Sequence, residues 1–449
     1  MDKFKNIIIG FGKAGKTLAK YLAQHDETVL LIERSKQMYG GTCINVGCLP
    51  SKNLILNGQR GLDFTTAVNK RGEMTRQLRD KNYHMVADEP LATIWDGSAR
   101  FIDNYVLAVV MSDGTTKKVR GERIFINTGA VPNWPSIPGL EFSQRIFTSK
   151  EAMELEKQPK RLAIIGGGYI GLEFAGMFNS FGTHVTIFDQ HTRLLEREDP
   201  DIATEVVADL TDAGIEIKPA TQLTQVKDNG EKVTLYYQQG DQTNTAEFDA
   251  VLVAVGRQPN ISSLGLENTD IALTNRGAIQ VDDYLRTTVQ NIWALGDVNG
   301  GPMFTYVSLD DFRIIIDQLF GKGDRSTADR MVIPTASFLN PPLANVGLNE
   351  RQAKSAGYDL QTFKLSVKAI PKARVLEDQR GLYKVIVDQK THLILGATLY
   401  AAEAHETINL IALAMKAKLP YERLRDMIYT HPTMSEALND LFKTPVVKS

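Results

Sequence analysis

Two stretches decide the fold: "IIIGFGKAGKTLAKYL" at 7–22 and "LAIIGGGYIGLEFAGMF" at 162–178. Each opens with an apolar run of strand character and then gives glycines in G-x-G-x-x-G order. These are Gly10, Gly12 and Gly15 in the first and Gly166, Gly168 and Gly171 in the second, each set followed by a helical pattern. A second apolar strand closes each unit on an acid, "TVLLIE" on Glu33 and "HVTIFD" on Asp189, both 23 residues after the first glycine. A lone motif of this kind is weak, whereas two strand-flanked copies with the acid at one offset are strong. The glycines permit a tight turn and close approach of backbone to a pyrophosphate. The helix start favours the phosphate charge, and the acid accepts hydrogen bonds from a ribose. The bland alternative is a pair of Rossmann units whose ligand sites have decayed. The repeat instead predicts a chain that binds two dinucleotides.

The rest of the chain bounds the problem. Its 449 residues suggest about three domains. With 43% hydrophobic and 23% charged residues and a net charge of -2, nothing points to nucleic acid or an anionic membrane. "MDKFKNIIIG" runs straight into a strand without a leader-like apolar stretch, and no run reaches the ~20 apolar residues of a membrane span. A cytoplasmic protein is expected.

The only two cysteines, Cys43 and Cys48, lie in "GGTCINVGCLPSK" at 40–52. A chain of this length buries a core without a covalent staple. A zinc site lacks further cysteines or a histidine at finger-like spacing, and inert buried thiols are the usual reading of scattered cysteines. Their pairing among glycines favours a redox couple. On an ideal helix, residues five apart have Cα atoms roughly 8–9 Å apart, while a disulfide needs about 4.4–6.8 Å. A bond between them therefore requires a distorted first turn, for which Gly47 supplies backbone freedom.

Three further strand-to-glycine punctuations, "RIFINTGAVP" (123–132), "AVLVAVGRQPN" (250–260) and "NIWALGDVNGG" (291–301), mark returns to the nucleotide domains. From about 331 a new region begins, with strand-like "GLYKVIVD" and "HLILGATLY" followed by helical "AHETINLIALAMKAK".

With these residues in place, the chain resembles the flavoprotein disulfide reductases of the glutathione reductase and dihydrolipoamide dehydrogenase type over essentially its whole length. The resemblance is carried by "GGTCINVGCLPSK", "GGGYIGLEF", "ALGD" and "THPTMSE" (430–436). It implies an α/β fold with two Rossmann-like domains and a C-terminal α+β dimerisation domain. An FAD-binding domain would span 1–149 and 271–330, an inserted NAD(P)H-binding domain 150–270, and a homodimer interface domain 331–449. It also implies a redox-active Cys43–Cys48 disulfide, in which Cys48 is the flavin-proximal charge-transfer thiolate and Cys43 the interchange thiol. Lys52 and Glu173 match the pair beside the flavin's reactive edge, and Tyr169 the lid over the nicotinamide. His431 and Glu436 match the acid–base dyad given by the other subunit. Glu33, Gly41, Thr42, Lys52, Thr128, Gly129, Gly296 and Asp297, with Gly10, Gly12 and Gly15, match FAD contacts. Ile170, Asp189, Gly256 and Arg257, with Gly166, Gly168, Tyr169 and Gly171, match nicotinamide-dinucleotide contacts. No metal site is implied, and His405 reads as structural.

Absences narrow the choice. The tail "LFKTPVVKS" has no cysteine pair of the mercuric reductase or large thioredoxin reductase kind, and two active-site cysteines differ from the coenzyme A disulfide reductases. After Asp189 come Gln190, His191 and Thr192, with only Arg193 near, which favours NADH over NADPH. "IIIGFGKAGKTLA", "LRDKNYHMVAD", "FTYVSLDDFRII" and "IPKARV" bring the chain nearest to the bacterial reactive-chlorine-resistance flavoproteins. That branch is associated with hypothiocyanous acid reduction and, in some members, copper(II) reduction. The expected activity is reduction of a small electrophilic oxidant in oxidative-stress defence. Copper(II) reductase, dihydrolipoamide dehydrogenase and a non-enzymatic redox sensor are the alternatives. "FTYVSLDDFR" departs from the family pattern, because Asp310 and Asp311 stand where a more apolar helix start faces the flavin.

Overall fold

The structure is a computed structural model that describes residues 1–446; the last three residues of the tail and interface region lie outside the described residues. The chain forms two compact units. One comprises 1–135, 148–157 and 255–329; the other comprises 136–147, 158–254 and 330–449.

The first unit is built on a parallel sheet ordered Ala92–Asp103, Val29–Glu33, Asp2–Ile9, Thr116–Ile126 and Ile292–Ala294. Val106–Met111 pairs antiparallel with the far halves of the two long strands. Parallel strands covered on both faces read as continuous apolar runs, and Ile7, Ile8 and Ile9 are all buried. Alternate residues serve opposite faces. Ile8, Leu31 and Phe125 pack with the Lys13–Ala23 and Thr305–Phe320 helices, while Ile7, Ile9, Leu30 and Ile124 pack with Ile279 and Ile292.

The second unit holds a parallel sheet ordered Glu216–Lys218, His184–Phe188, Arg161–Ile165, Ala250–Val253 and Ile146–Phe147, with a three-stranded meander from 221 to 248. It also holds a five-stranded antiparallel sheet in which Leu382–Asp388 and Ile394–Tyr400 are neighbours, covered by the Ala404–Lys416 helix. These are the strand and helix segments expected after 331. The architecture is that of two Rossmann-like dinucleotide-binding domains and a C-terminal α+β dimerisation domain. Among the described residues no helix is long and apolar enough to cross a membrane.

Candidate active site

The two glycine turns are copies of one another in three dimensions. Gly10 and Gly166 both have φ of +105°. A Cβ on Gly15 would lie 2.4 Å from the Gly10 carbonyl oxygen, and one on Gly171 2.0 Å from that of Gly166. Only hydrogen fits there, which is why the third glycine recurs. The acids close each turn: Phe11 N–H donates to Glu33 Oε2 at 3.0 Å, and Gly167 N–H to Asp189 Oδ2 at 2.5 Å. Burial raises the Glu33 carboxyl, against the lowering effect of its N–H donors from Phe11 and Ser35. The Lys13–Ala23 and Tyr169–Ser180 helices have Gly12 and Gly168 at their N-caps, residues with no side chain to cap the turn, and in the first helix Ser308 Oγ accepts from Ala14 N–H at 3.3 Å. A helix start that follows a glycine turn is an arrangement that suits a diphosphate.

Around the first turn, Gly129 has φ of +72° and Thr128 Oγ1 donates to the Asn260 carbonyl at 2.8 Å. Gly256 and Arg257 fall in the first unit, where the Arg257–Pro259 strand pairs with Ala130–Pro132. Arg257 donates to the Ala130 carbonyl at 2.6 Å. Burial raises the Asp297 carboxyl, and the Arg257 charge opposes the rise. Asp311 is buried and accepts from Gly296 N–H at 2.6 Å, while Asp310 pairs with Arg325. The departure at 310–311 is thus a carboxylate that holds the Gly296–Asp297 turn and a second one neutralised by an arginine.

The stretch that carries the two cysteines breaks between two helices. Cys43 lies in a short helix, Thr42–Asn45, and Cys48 opens a separate one, Cys48–Gln59. Gly47 turns the chain back so closely that a Cβ there would meet the Thr42 carbonyl oxygen at 2.9 Å and Cys43 Cα at 3.3 Å. Both cysteines are free thiols, Cys43 half-buried and Cys48 exposed. The pair shares one charge. A hydrogen bond from Cys48 lowers the Cys43 thiol to about 6; Thr305, Lys16 and the Leu49 N–H add to this, and burial opposes it. Cys48 is pushed up, first by that same bond. Thr305 Oγ1 lies 3.9 Å from Cys48 Sγ. Burial pushes the Tyr306 hydroxyl up to about 12. Lys52 stands four residues after Cys48 on its helix.

In the second unit, Tyr169 is 41% exposed and its hydroxyl bonds Glu198, so the ring stands at the surface by the glycine turn. Ile170 follows it on the same helix. Glu173 is buried and accepts from Phe338 N–H at 2.8 Å. His191 bonds Asp189 Oδ1 through its backbone N–H at 2.8 Å and through ring Nδ1 at 2.7 Å. Arg193 donates to the Glu198 carbonyl at 3.3 Å. Near the C-terminus, His431 Nδ1 meets Glu436 Oε2 at 2.8 Å, and Thr433 N–H donates to Glu436 Oε1 at 3.2 Å. The His431 ring is exposed. His405 packs beside Phe338, with ring centroids 5.2 Å apart.

Two supporting residues escape sequence reasoning. Asn127 Oδ1 accepts from Gly15 N–H at 2.9 Å while its amide donates to the Leu295 carbonyl at 2.6 Å, joining two strand ends to the first turn of the Lys13–Ala23 helix. Asn45 amide bonds to the Tyr39 and Gly41 carbonyls, both at 2.9 Å, and its oxygen accepts from Arg79 Nε at 2.9 Å. Both asparagines stand inside quoted motifs, but only the fold supplies their partners.

Residues 4–311 match the model of the pyridine nucleotide-disulphide oxidoreductase family, and 333–442 match its dimerisation domain. The chain is 48% identical over 442 residues to the probable pyridine nucleotide-disulfide oxidoreductase RclA of Escherichia coli K12, covering 98% of this chain and 99% of that one. It is 33% identical to a mercuric reductase of Staphylococcus aureus (96% and 80% covered) and 32% identical to a dihydrolipoyl dehydrogenase of Corynebacterium glutamicum (98% and 97%). A solved Cu(II) complex of the HOCl-induced flavoprotein disulfide reductase RclA from Escherichia coli is 47% identical, with a TM-score of 0.95 and 99% of both chains covered.

Proposed function

Because this chain belongs to the pyridine nucleotide-disulphide oxidoreductase family, its matched segments covering 4–311 and 333–442, we propose that it is a homodimeric, NADH-preferring flavoenzyme that reduces a small electrophilic oxidant of the hypothiocyanous acid type. The supporting observation is the pair of thiols folded together at Gly47, with Cys43 held ionised near neutral pH. The glycine cradles at the two helix starts fit FAD in the first unit and NADH in the 158–254 part of the second, with 331–449 as the subunit interface. Gly10, Gly12, Gly15, Glu33, Gly41, Thr42, Lys52, Thr128, Gly129, Gly296 and Asp297 would hold FAD; Gly166, Gly168, Tyr169, Ile170, Gly171 and Asp189 would hold NADH. Bound together, the two cofactors supply the hydride chemistry that returns the disulfide to two thiols. Asp189 faces the ribose position with a carboxylate, and Arg193 is engaged with main-chain carbonyls, which supports NADH over its 2′-phosphorylated form.

The Cys43 thiolate attacks the oxidant's sulfur, forming an S–S bond and expelling hydroxide, which leaves as water once a proton is given. The partner subunit's His431, held by Glu436, is the donor in this reading. Cys48 loses its proton to solvent and attacks Cys43, closing the disulfide and releasing thiocyanate. The sum is two thiols and hypothiocyanous acid giving a disulfide, thiocyanate, water and a proton.

Copper(II) reduction is the second reading, favoured by the copper complex of the 47%-identical structure. His431→Ala separates the two. General acid catalysis contributes roughly 10²–10⁴-fold, so the variant should lose hypothiocyanous acid turnover well beyond copper(II) reduction, which needs no protonated leaving group. Wild-type turnover of lipoamide far faster than that of hypothiocyanous acid at matched concentrations refutes the proposal in favour of a dihydrolipoamide dehydrogenase. The absence of steady NADH turnover with any oxidant would leave a redox sensor.

A further inference from the structure

Lys16 follows the third glycine of the first turn and is 4% exposed. Its ammonium donates to the Gly40 carbonyl at 3.1 Å and to Asn82 Oδ1. The Asn82 amide is tied to the Leu78 carbonyl at 2.6 Å, so its oxygen is turned to the lysine. Both partners are neutral, and among the described residues no carboxylate lies within ion-pair distance of Lys16. A buried ammonium without a counter-charge is costly, and such groups normally pair or neutralise. The lysine also holds a junction. It grips Gly40, and the next residue, Gly41, runs so close to the first turn that a Cβ there would lie 2.7 Å from Gly12 Cα. The redox segment therefore starts from two contacts with the nucleotide turn, and one of them carries a charge.

We propose that Lys16, a buried ammonium without a carboxylate partner, is a positioning residue that fixes the start of the redox segment through Gly40 and favours the thiolate form of Cys43 three residues on. This rests on the thiol chemistry proposed above, but not on the identity of the oxidant. Charges bear on the two groups as the proposal requires. Burial and Lys13 lower the Lys16 ammonium to about 8, and Cys43 pulls it back up. Lys16 in turn lowers Cys43, alongside the Cys48 hydrogen bond, the Thr305 hydroxyl and the Leu49 N–H. Lys52 acts on Cys48. Of the lysines and arginines near the pair, Lys16 is the one that bears on Cys43.

The test is the pH dependence of Cys43 alkylation by iodoacetamide in reduced holoenzyme, read by mass spectrometry. Lys16→Met should raise the midpoint by on the order of one unit, which slows alkylation below the midpoint by up to about tenfold, and Lys16→Arg should restore most of it. Asn82→Asp keeps the side chain's size while giving the ammonium a competing carboxylate. It should raise the midpoint as well, and it serves where Lys16→Met fails to fold. An unchanged midpoint in a variant with normal flavin content overturns the proposal. So does a loss of FAD affinity in Lys16→Met with the midpoint unmoved, which would assign the ammonium to the cofactor's diphosphate. Failure of the hypothiocyanous acid assay would leave this thiol measurement unaffected.

Discussion

Lys384 is a buried charge outside the active site that meets three carboxylates, and its replacement has a calculable cost. It lies on the Leu382–Asp388 strand, 2% exposed, and its ammonium meets Asp199 at 2.8 Å, Glu350 at 2.9 Å and Asp201 at 3.1 Å. Asp199 and Asp201 flank the start of the Pro200–Asp212 helix that follows the second nucleotide strand, and Glu350 opens the Glu350–Ser355 helix. One lysine thus ties the nucleotide-binding sheet region to the C-terminal sheet within the second unit. Removing one partner of a buried ion pair costs about 3–5 kcal/mol, because a charge is left uncompensated. Asp199 is 4% exposed and bears this cost, but Asp201 and Glu350 side chains are each 28% exposed and water relieves them. Lys384→Met should therefore lose roughly 2–4 kcal/mol. At about 2–4 °C per kcal/mol for a domain of this size, Tm should fall by roughly 5–15 °C.

The sign with pH follows from the shifts. Burial lowers the Lys384 ammonium, but Asp199, Glu350 and Asp201 together outweigh it and raise the group. That contribution is complete below the ordinary lysine value and is lost as pH rises through the folded value. Asp201 is depressed by Lys364 and Lys384 against its burial, and Glu350 by Lys354 and Lys384. Their contribution is present above the ordinary carboxylate range and is lost as pH falls through their folded values. The penalty of Lys384→Met should accordingly be largest at neutral pH and shrink toward pH 4, where the stranded carboxylates protonate. Differential scanning calorimetry of the holoenzyme at pH 4.5, 6 and 8 reads this, and adding Asp199→Asn to the variant should recover part of the loss. A Tm change under 2 °C, equal at all three pH values, would refute the ion-pair reasoning.

Further outcomes follow from the site. Cys43 in the reduced enzyme should alkylate with a midpoint near 6, and Cys48→Ser should raise that midpoint by weakening its largest stabilising hydrogen bond; a wild-type midpoint above 8 contradicts the charge assignment. Gly171→Ala, which places a Cβ 2.0 Å from the Gly166 carbonyl oxygen, should abolish or severely weaken NADH binding while leaving flavin content intact, as read by fluorescence titration. NADH should show the higher kcat/KM in wild type, and Asp189→Ala should narrow the gap to NADPH; a wild-type preference for NADPH contradicts the role given to Asp189. Mixing Cys43→Ser and His431→Ala subunits should recover activity through heterodimers with one intact site, and none after verified subunit exchange would argue against a shared site.

The glycine turns were legible in the sequence because their constraint is local. A φ of +105° at Gly10 and Gly166, and the contact of Gly15 with the Gly10 carbonyl, depend on backbone only a few residues apart, so the chain must write them as glycine. The same holds for Cys43, Gly47 and Cys48, whose spacing and small central residue state the fold-back before any tertiary partner is known. His431 and Glu436 sit five residues apart and form their hydrogen bond within one loop. Polar residues buried by distant segments were not legible. Asn127 looks like an ordinary strand-end residue until Gly15 and Leu295 are brought beside it, and nothing local in the sequence marks Lys16 and Lys384 for the burial that the fold gives them. Asp311 stood out in the sequence as a departure, but its reason, the Gly296 N–H at 2.6 Å, belongs to the tertiary structure. The return of the chain to the first sheet was expected from 271 onward, but the point at which it returns, 255, was decided only by folding, because no linker composition marks the change. A short-range backbone demand fixes residue identity at its own position, whereas a buried polar group is fixed by partners that sequence distance hides.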